Sequence, residues 1–206
     1  VTPLVSVFVT GYLTLAAIGP VFTKLENGII TGVQTLITLP YGIGSFIMGG
    51  LYAITVVAGI HHMYTLIDLG QLARYGYTYW LPLASAANVA QGGAALAVAL
   101  KTRDTKVKSM ALPSAMSAYM GITEPAIFGV NLRYFKPFIG GLLGGACGAL
   151  YASIVGLGAT GTGVTGIFGI LLHLHMPLQY IIMMAISFGV SFAVTWVIWK
   201  PEEVNA

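Results

Sequence analysis

The sequence predicts an all-α integral membrane fold of about five transmembrane helices with two re-entrant helical hairpins. Three observations carry that prediction. Charged residues make up only 7% of the 206, against roughly 25% in soluble domains. Hydrophobic residues make up 57%, and the mean hydropathy is +0.87. Apolar stretches also recur at a length that crosses a bilayer core, roughly 20 residues in helix. A soluble fold of this size has too few charges to cover its surface, whereas lipid accepts the apolar remainder.

Taken in order, Leu4–Phe22 reads as the end of an earlier span, broken by Pro20, Lys24, Glu26 and Asn27. Phe22–Ile37 mixes polar and apolar residues and suits an interfacial amphipathic helix. Residues 1–38 are therefore expected to be the end of a preceding span plus an amphipathic linker, and 39–206 the transport domain. Four spans follow: Leu39–Ile60, Leu81–Leu100, Phe138–Ile154 and Leu178–Trp199. The chain opens on Val1, without Met and already apolar, which suggests a fragment of a longer protein.

Two segments are neither spans nor ordinary loops. His61–Trp80 carries Asp68, Arg74 and many aromatics, and Ser109–Phe135 is interrupted by Pro113, Gly121 and Pro125. Backbone that breaks at membrane depth must be buried in protein or line a cavity, and broken helices mark binding sites in transporters. Both segments are read as re-entrant hairpins. Lys101, Arg103, Lys106 and Lys108 cluster in one connection. Apolar segments flank it and no aromatics interleave it, so it marks a cytoplasmic loop rather than a nucleic-acid surface. Tyr75, Tyr77, Tyr79 and Trp80 read as an interfacial aromatic belt.

Glu124 is the sharpest feature. No other charge lies between Lys108 and Arg133, and an intramembrane carboxylate is a functional candidate by default. Pro125 disfavours helix at the residue before it, which predicts an extended break at Glu124. The carboxylate, with Thr123 beside it, can accept from ligand hydroxyls or act as a general base. It could instead pair with Arg133 and pin the hairpin. His61 and His62 follow the first full span. On an α-helix they would point about 100° apart and rarely share a ligand. No Cys or carboxylate stands at zinc-ligand spacing from them, so no metal is expected. Asn88, Gln91 and Asn131 are amides that suit the hydroxyls of a ligand or helix–helix bonds. Asp68 and Arg74 are expected to pair with each other, and His173 and His175 to be interfacial.

Two patterns have simpler readings. Gly156–Gly161 matches GxGxxG but lacks a preceding strand, so no dinucleotide or other cofactor is expected, and a flexible loop suffices. Gly140, Gly144 and Gly148 recur every four residues, a spacing that admits a neighbouring helix. Cys147, the single cysteine, reads as a small packing residue beside them.

Gly121–Ile122–Thr123–Glu124–Pro125 resembles the GITEP signature of the membrane (IIC) component of phosphotransferase-system sugar transporters, in the glucose superfamily. Gly59–Ile60–His61–His62 resembles the same family's G-[IL]-H-H element. Ser85–Gly92 and Phe128–Arg133 are also similar to family segments, and the resemblance runs from about Leu39 to the C-terminus. It implies a sugar-binding domain in a bacterial cytoplasmic membrane, the C-terminal (transport) half of a IIC domain. Such a domain presents the 6-hydroxyl of its sugar to a IIB domain, whose cysteine carries the phosphoryl group. It further implies that Glu124 and His61 reach the sugar, and that the full-length protein is a homodimer. Ala86–Thr102 and Ala111–Phe135 are most similar to the sucrose branch. Glucose and N-acetylglucosamine members often carry arginine where this chain has Ala53, which points away from them. No IIB cysteine motif is present, so the chain cannot phosphorylate sugar by itself. On physics alone, a proton-coupled sugar carrier with Glu124 as its proton site fits equally well, and only the resemblance separates the two.

Overall fold

The computed structural model describes residues 2–14 and 19–201. Ten helices run through them: α1 (Thr2–Leu13), α2 (Gly19–Ile37), α3 (Ile43–Val57), α4 (Tyr64–Tyr75), α5 (Trp80–Lys101), α6 (Thr105–Tyr119), α7 (Glu124–Ala126), α8 (Leu132–Tyr134), α9 (Lys136–Ile154) and α10 (Pro177–Ile198). Short 3₁₀ turns cover Pro40–Gly42, Ile60–Met63 and Gly166–His173, and a π turn joins α7 to α8 at Ile127–Asn131. Within the described residues the only β pairing is an isolated bridge between Thr78 and Ala159.

Among the described residues, four helices are long and apolar enough to cross a membrane: Pro40–Val57, Trp80–Lys101, Lys136–Ile154 and Pro177–Ile198. They coincide with the four spans read from sequence. The expected fifth is α1 only as far as Leu13, and part of its range, residues 15–18, lies outside the described residues. Burial sorts the four. In α5, 89% of the apolar window is buried, against 22% in α10. Leu178, Ile181, Trp196 and Val197 face outward from α10. Such an apolar exterior needs hydrocarbon around it.

α9 is the centre, with α3, α5 and α10 all packed on it. Glycines let them approach. A Cβ on Gly140 would sit 2.1 Å from Thr195 Oγ1, and one on Gly144 would sit 2.5 Å from the Ser187 carbonyl oxygen. One on Gly148 would sit 1.8 Å from Ser187 Oγ. This stripe faces α10. The neighbouring Gly141 and Gly145 face Gln91 and Ala87 of α5 and Gly49 of α3. Without a hydrophobic drive between helices in lipid, such close contact supplies the packing energy.

α2 buries only part of its apolar surface. Ile30 and Ile37 are buried on one stripe while Ile29 and Leu36 are exposed, and the stripe packs on α3 and α4. At the far end of the bundle, Lys101 Nζ donates to the carbonyl oxygens of Trp196 and, at 2.5 Å, of Trp199. It also lies 5.7 Å over the Trp196 ring. The lysine that ends α5 thus caps the C-terminus of α10, where free carbonyls carry partial negative charge. Lys101→Met is expected to destabilise the bundle by about 1 kcal/mol, read as a lower unfolding midpoint in detergent. An unchanged midpoint would mean that the cap contributes nothing.

Three local expectations are corrected. Pro113 does not interrupt its segment: α6 continues through it, and the break is confined to Met120–Thr123, where Gly121 takes a φ of +97°. Glu124 is not extended but opens α7, with Pro125 in the first turn. A proline is tolerated there because its missing N–H would have had no intrahelical partner. His173 is not interfacial but fully buried. It bonds the Gly169 carbonyl at 2.7 Å and stacks on Tyr180 with ring centroids 4.3 Å apart. Burial holds its pKa below the usual histidine value.

Candidate functional site

Two chain breaks face each other across one cavity of about 340 Å³. The first is the turn after α3. Gly59 there takes the left-handed conformation, with φ +74°, and a 3₁₀ turn carries His61 and His62 into α4. The second is the Gly121–Thr123 break ahead of α7. His61 Nε2 comes within 3.5 Å of Glu124 Oε1. Burial, and His62 next, push the His61 pKa down, against the pull of Glu124. The lowered pKa favours the neutral imidazole, which makes this contact more a polar one than an ion pair. The Glu124 side chain keeps 45% exposure, so its oxygens remain available to a ligand. Among the described residues its ion-pair-range contact is His61. Arg133 instead lies 5.7 Å over the Tyr134 ring, so the alternative pinning pair does not form.

Both histidines line the cavity. Their rings lie 4.0 Å apart, tilted by 38°. The two rings approach each other although adjacent residues on a 3₁₀ turn point about 120° apart. Thr123 also lines the cavity and is buried. Asn88 reaches it from α5, with its amide nitrogen 2.9 Å from Thr165 Oγ1 and 3.4 Å from the Gly121 carbonyl. It therefore holds the tip of the Glu124 break against the loop 156–165.

Asn131 is elsewhere. It is fully buried and donates to the carbonyl oxygen and side-chain oxygen of Gln91 at 2.9 and 2.8 Å. The π turn rotates it onto α5, so this amide binds helix to helix and does not line the cavity.

Several cavity residues were not anticipated. Asp68 lines it and does not pair with Arg74. Both lie on α4, six positions apart, and so point to different sides. Asp68 accepts from Thr78 at 2.5 Å and Thr162 at 2.9 Å, while Arg74 donates to Asn27. Burial pushes the Asp68 pKa up, and the two threonine hydroxyls pull the other way. Trp80 belongs to the cavity wall rather than to an interfacial belt. It is 5% exposed, and its ring meets Tyr64 edge-on at 4.6 Å and Tyr52 at 6.3 Å. The signal for Asp68 was present: it too is a carboxylate between apolar spans, and the rule applied to Glu124 covers it.

Gln71 fixes this wall. Its Oε1 accepts from the Tyr79 and Trp80 backbone N–H groups at 2.8 and 3.2 Å, which satisfies free donors at the start of α5. Its Nε2 donates to Gln34 of α2 at 2.9 Å. A larger cavity, about 700 Å³, lies at the other end of α3 between Tyr41, Tyr79 and Ile154. It holds none of the titratable pairs described above. The described residues contain no group of His, Cys, Asp and Glu that could hold a metal ion.

The family model described as the phosphotransferase system EIIC domain matches residues 1–145. The sucrose-specific EIIBC component of Salmonella typhimurium is 44% identical over 96% of this chain and 44% of its own length. That of Bacillus subtilis is 42% identical over 98% and 45%. The trehalose-specific EIIBC component of Bacillus subtilis is 36% identical over 93% and 41%. The chain thus spans less than half the length of these relatives. No solved structure matches the chain.

Proposed function

The chain belongs to the EIIC family of the phosphotransferase system, and from that premise we propose that it takes up a sugar by group translocation in a bacterial cytoplasmic membrane. The names of its relatives favour sucrose. In this reading the cavity binds the sugar and presents its 6-hydroxyl to a phosphorylated IIB domain, with the phosphoryl group held on a IIB cysteine. Glu124 accepts the hydroxyl proton as the oxygen attacks phosphorus. The P–O bond forms, the P–S bond breaks, and the thiolate leaves. The full-length protein works as a homodimer, and the two segments that meet at His61 and Glu124 are re-entrant hairpins.

The observation that carries the reading is the meeting of His61 and an accessible Glu124 in one polar cavity. A carboxylate accepts from neighbouring hydroxyls and can take a proton from one of them. The aromatic wall of Tyr52, Tyr64 and Trp80 offers an apolar ring face to the opposite side of a sugar. Nothing in the family match supports the proton-coupled alternative.

The test supplies the membrane protein with phosphorylated IIB domain and labelled sucrose, and follows sucrose phosphate. Product is expected, with trehalose a weaker competitor. Failure to phosphorylate sucrose while trehalose is phosphorylated would assign the other sugar. His61→Ala is expected to weaken sugar binding more than His62→Ala, since His61 is the ring on Glu124. Equilibrium binding checks this, and the reverse order would assign the sugar contact to His62.

A further inference from the structure

We propose that Asp68 and Thr162 form a second polar subsite in the same cavity, which accepts hydroxyl donors from the second ring of a two-ring sugar and so sets a preference for a disaccharide over its component hexoses. The inference rests on the reading of the Glu124 end as the place of the reacting hydroxyl.

The cavity has two polar ends. One is His61 with Glu124. The other is Asp68 with Thr162, and both of these residues line the cavity. Asp68 follows His61 by two helical turns of chain, roughly 10 Å at the α-helical rise. Thr65 lies between them and lines the same cavity. The Tyr64 and Trp80 rings, 4.6 Å apart, stand in the wall alongside. The volume of about 340 Å³ lies within the range of small-molecule sites, roughly 300–1,000 Å³.

The charge of Asp68 exceeds its structural task. Its two hydrogen bonds go to threonine hydroxyls, which accept as readily as they donate, so a neutral amide would hold the same turn. The start of α5 is already capped by Gln71. A buried carboxylate is costly to keep, and here burial raises its pKa. An ionised carboxylate offers about four acceptor positions, and Thr78 and Thr162 occupy one on each oxygen. The remaining positions suit hydroxyl donors. Gly163, next to Thr162, also lines the cavity and brings no side chain to obstruct a ring there.

Asp68→Asn is the decisive variant because it keeps both threonine bonds. Binding of labelled sucrose is measured in membranes, with unlabelled glucose and fructose as competitors. Sucrose affinity is expected to fall roughly tenfold, the scale of a lost hydrogen bond to a charged group, while the hexose inhibition constants stay unchanged. Thr162→Val is expected to shift sucrose in the same direction and spare the hexoses. An equal fall for sucrose and hexoses, or no fall at all, would overturn the subsite. Glu124→Gln serves as the separate arm. If it leaves sucrose phosphorylation intact, the assignment of the Glu124 end fails whatever Asp68 does. If it abolishes phosphorylation while Asp68→Asn shows no disaccharide-selective loss, only the subsite fails.

Discussion

Glu124→Gln is expected to lower sugar phosphorylation by roughly 100-fold or more, the scale of a lost general base, while the protein still inserts and folds. The amide keeps the shape of the side chain and one acceptor oxygen, but it cannot take the hydroxyl proton. Folding is spared because the Glu124 side chain is 45% exposed and its ion-pair-range contact, His61 at 3.5 Å, has its pKa lowered by burial. It opens a three-residue helix and fills no core position. Sugar binding should weaken far less than turnover, since Thr123, Asn88 and the histidines still line the cavity. Rates of phosphorylation with saturating phosphorylated IIB domain, set beside equilibrium sugar binding, check this. Unchanged turnover would remove Glu124 from the chemistry.

Gly144→Leu is expected to abolish the folded bundle. A Cβ at Gly144 would lie 2.5 Å from the Ser187 carbonyl oxygen and from Ser191 Cβ, and 3.0 Å from Ala90 Cβ. These are backbone or short rigid groups on α10 and α5, which cannot swing aside. The clash falls at the middle of the glycine stripe, where α9 meets both neighbours. Overpacking in a well-filled core costs about 1–3 kcal/mol per site and sometimes more, and leucine brings a whole branched side chain here. Loss of the monodisperse species in detergent is the expected result. The same substitution at Gly189, where a Cβ would meet no atom within 4 Å, is the control and should fold. A folded Gly144→Leu protein would show that α9 and α10 can separate without penalty.

The span pattern is legible in the sequence because its signal is collective. Runs of some 20 apolar residues at this charge density have few alternatives, and the glycine repeat in α9 marks a face for a neighbouring helix without saying which one. The contact between Glu124 and His61 is legible in part. Each residue stands out as polar matter at a chain break, yet nothing in their separation along the chain says that the breaks meet. Asn131 escapes for the same reason: an amide near a break can face the cavity or a helix, and the π turn at Ile127–Asn131 decides. Asp68 and Arg74 are near neighbours in sequence, but closeness along a helix does not put two side chains on one face. The true partners of Asp68, Thr78 and Thr162, are brought together by a turn and a glycine-rich loop. That loop, a plain connection by its sequence, supplies part of the cavity.

The proposed coupling of sugar entry to phosphorylation is tested most directly by uptake of labelled sucrose into vesicles. These hold the full-length protein and its IIB domain, with and without a phosphoenolpyruvate-driven relay. Label is expected to accumulate as sucrose phosphate, and only with the relay. Accumulation of free sucrose on a proton gradient alone would contradict the coupling and make Glu124 a proton carrier.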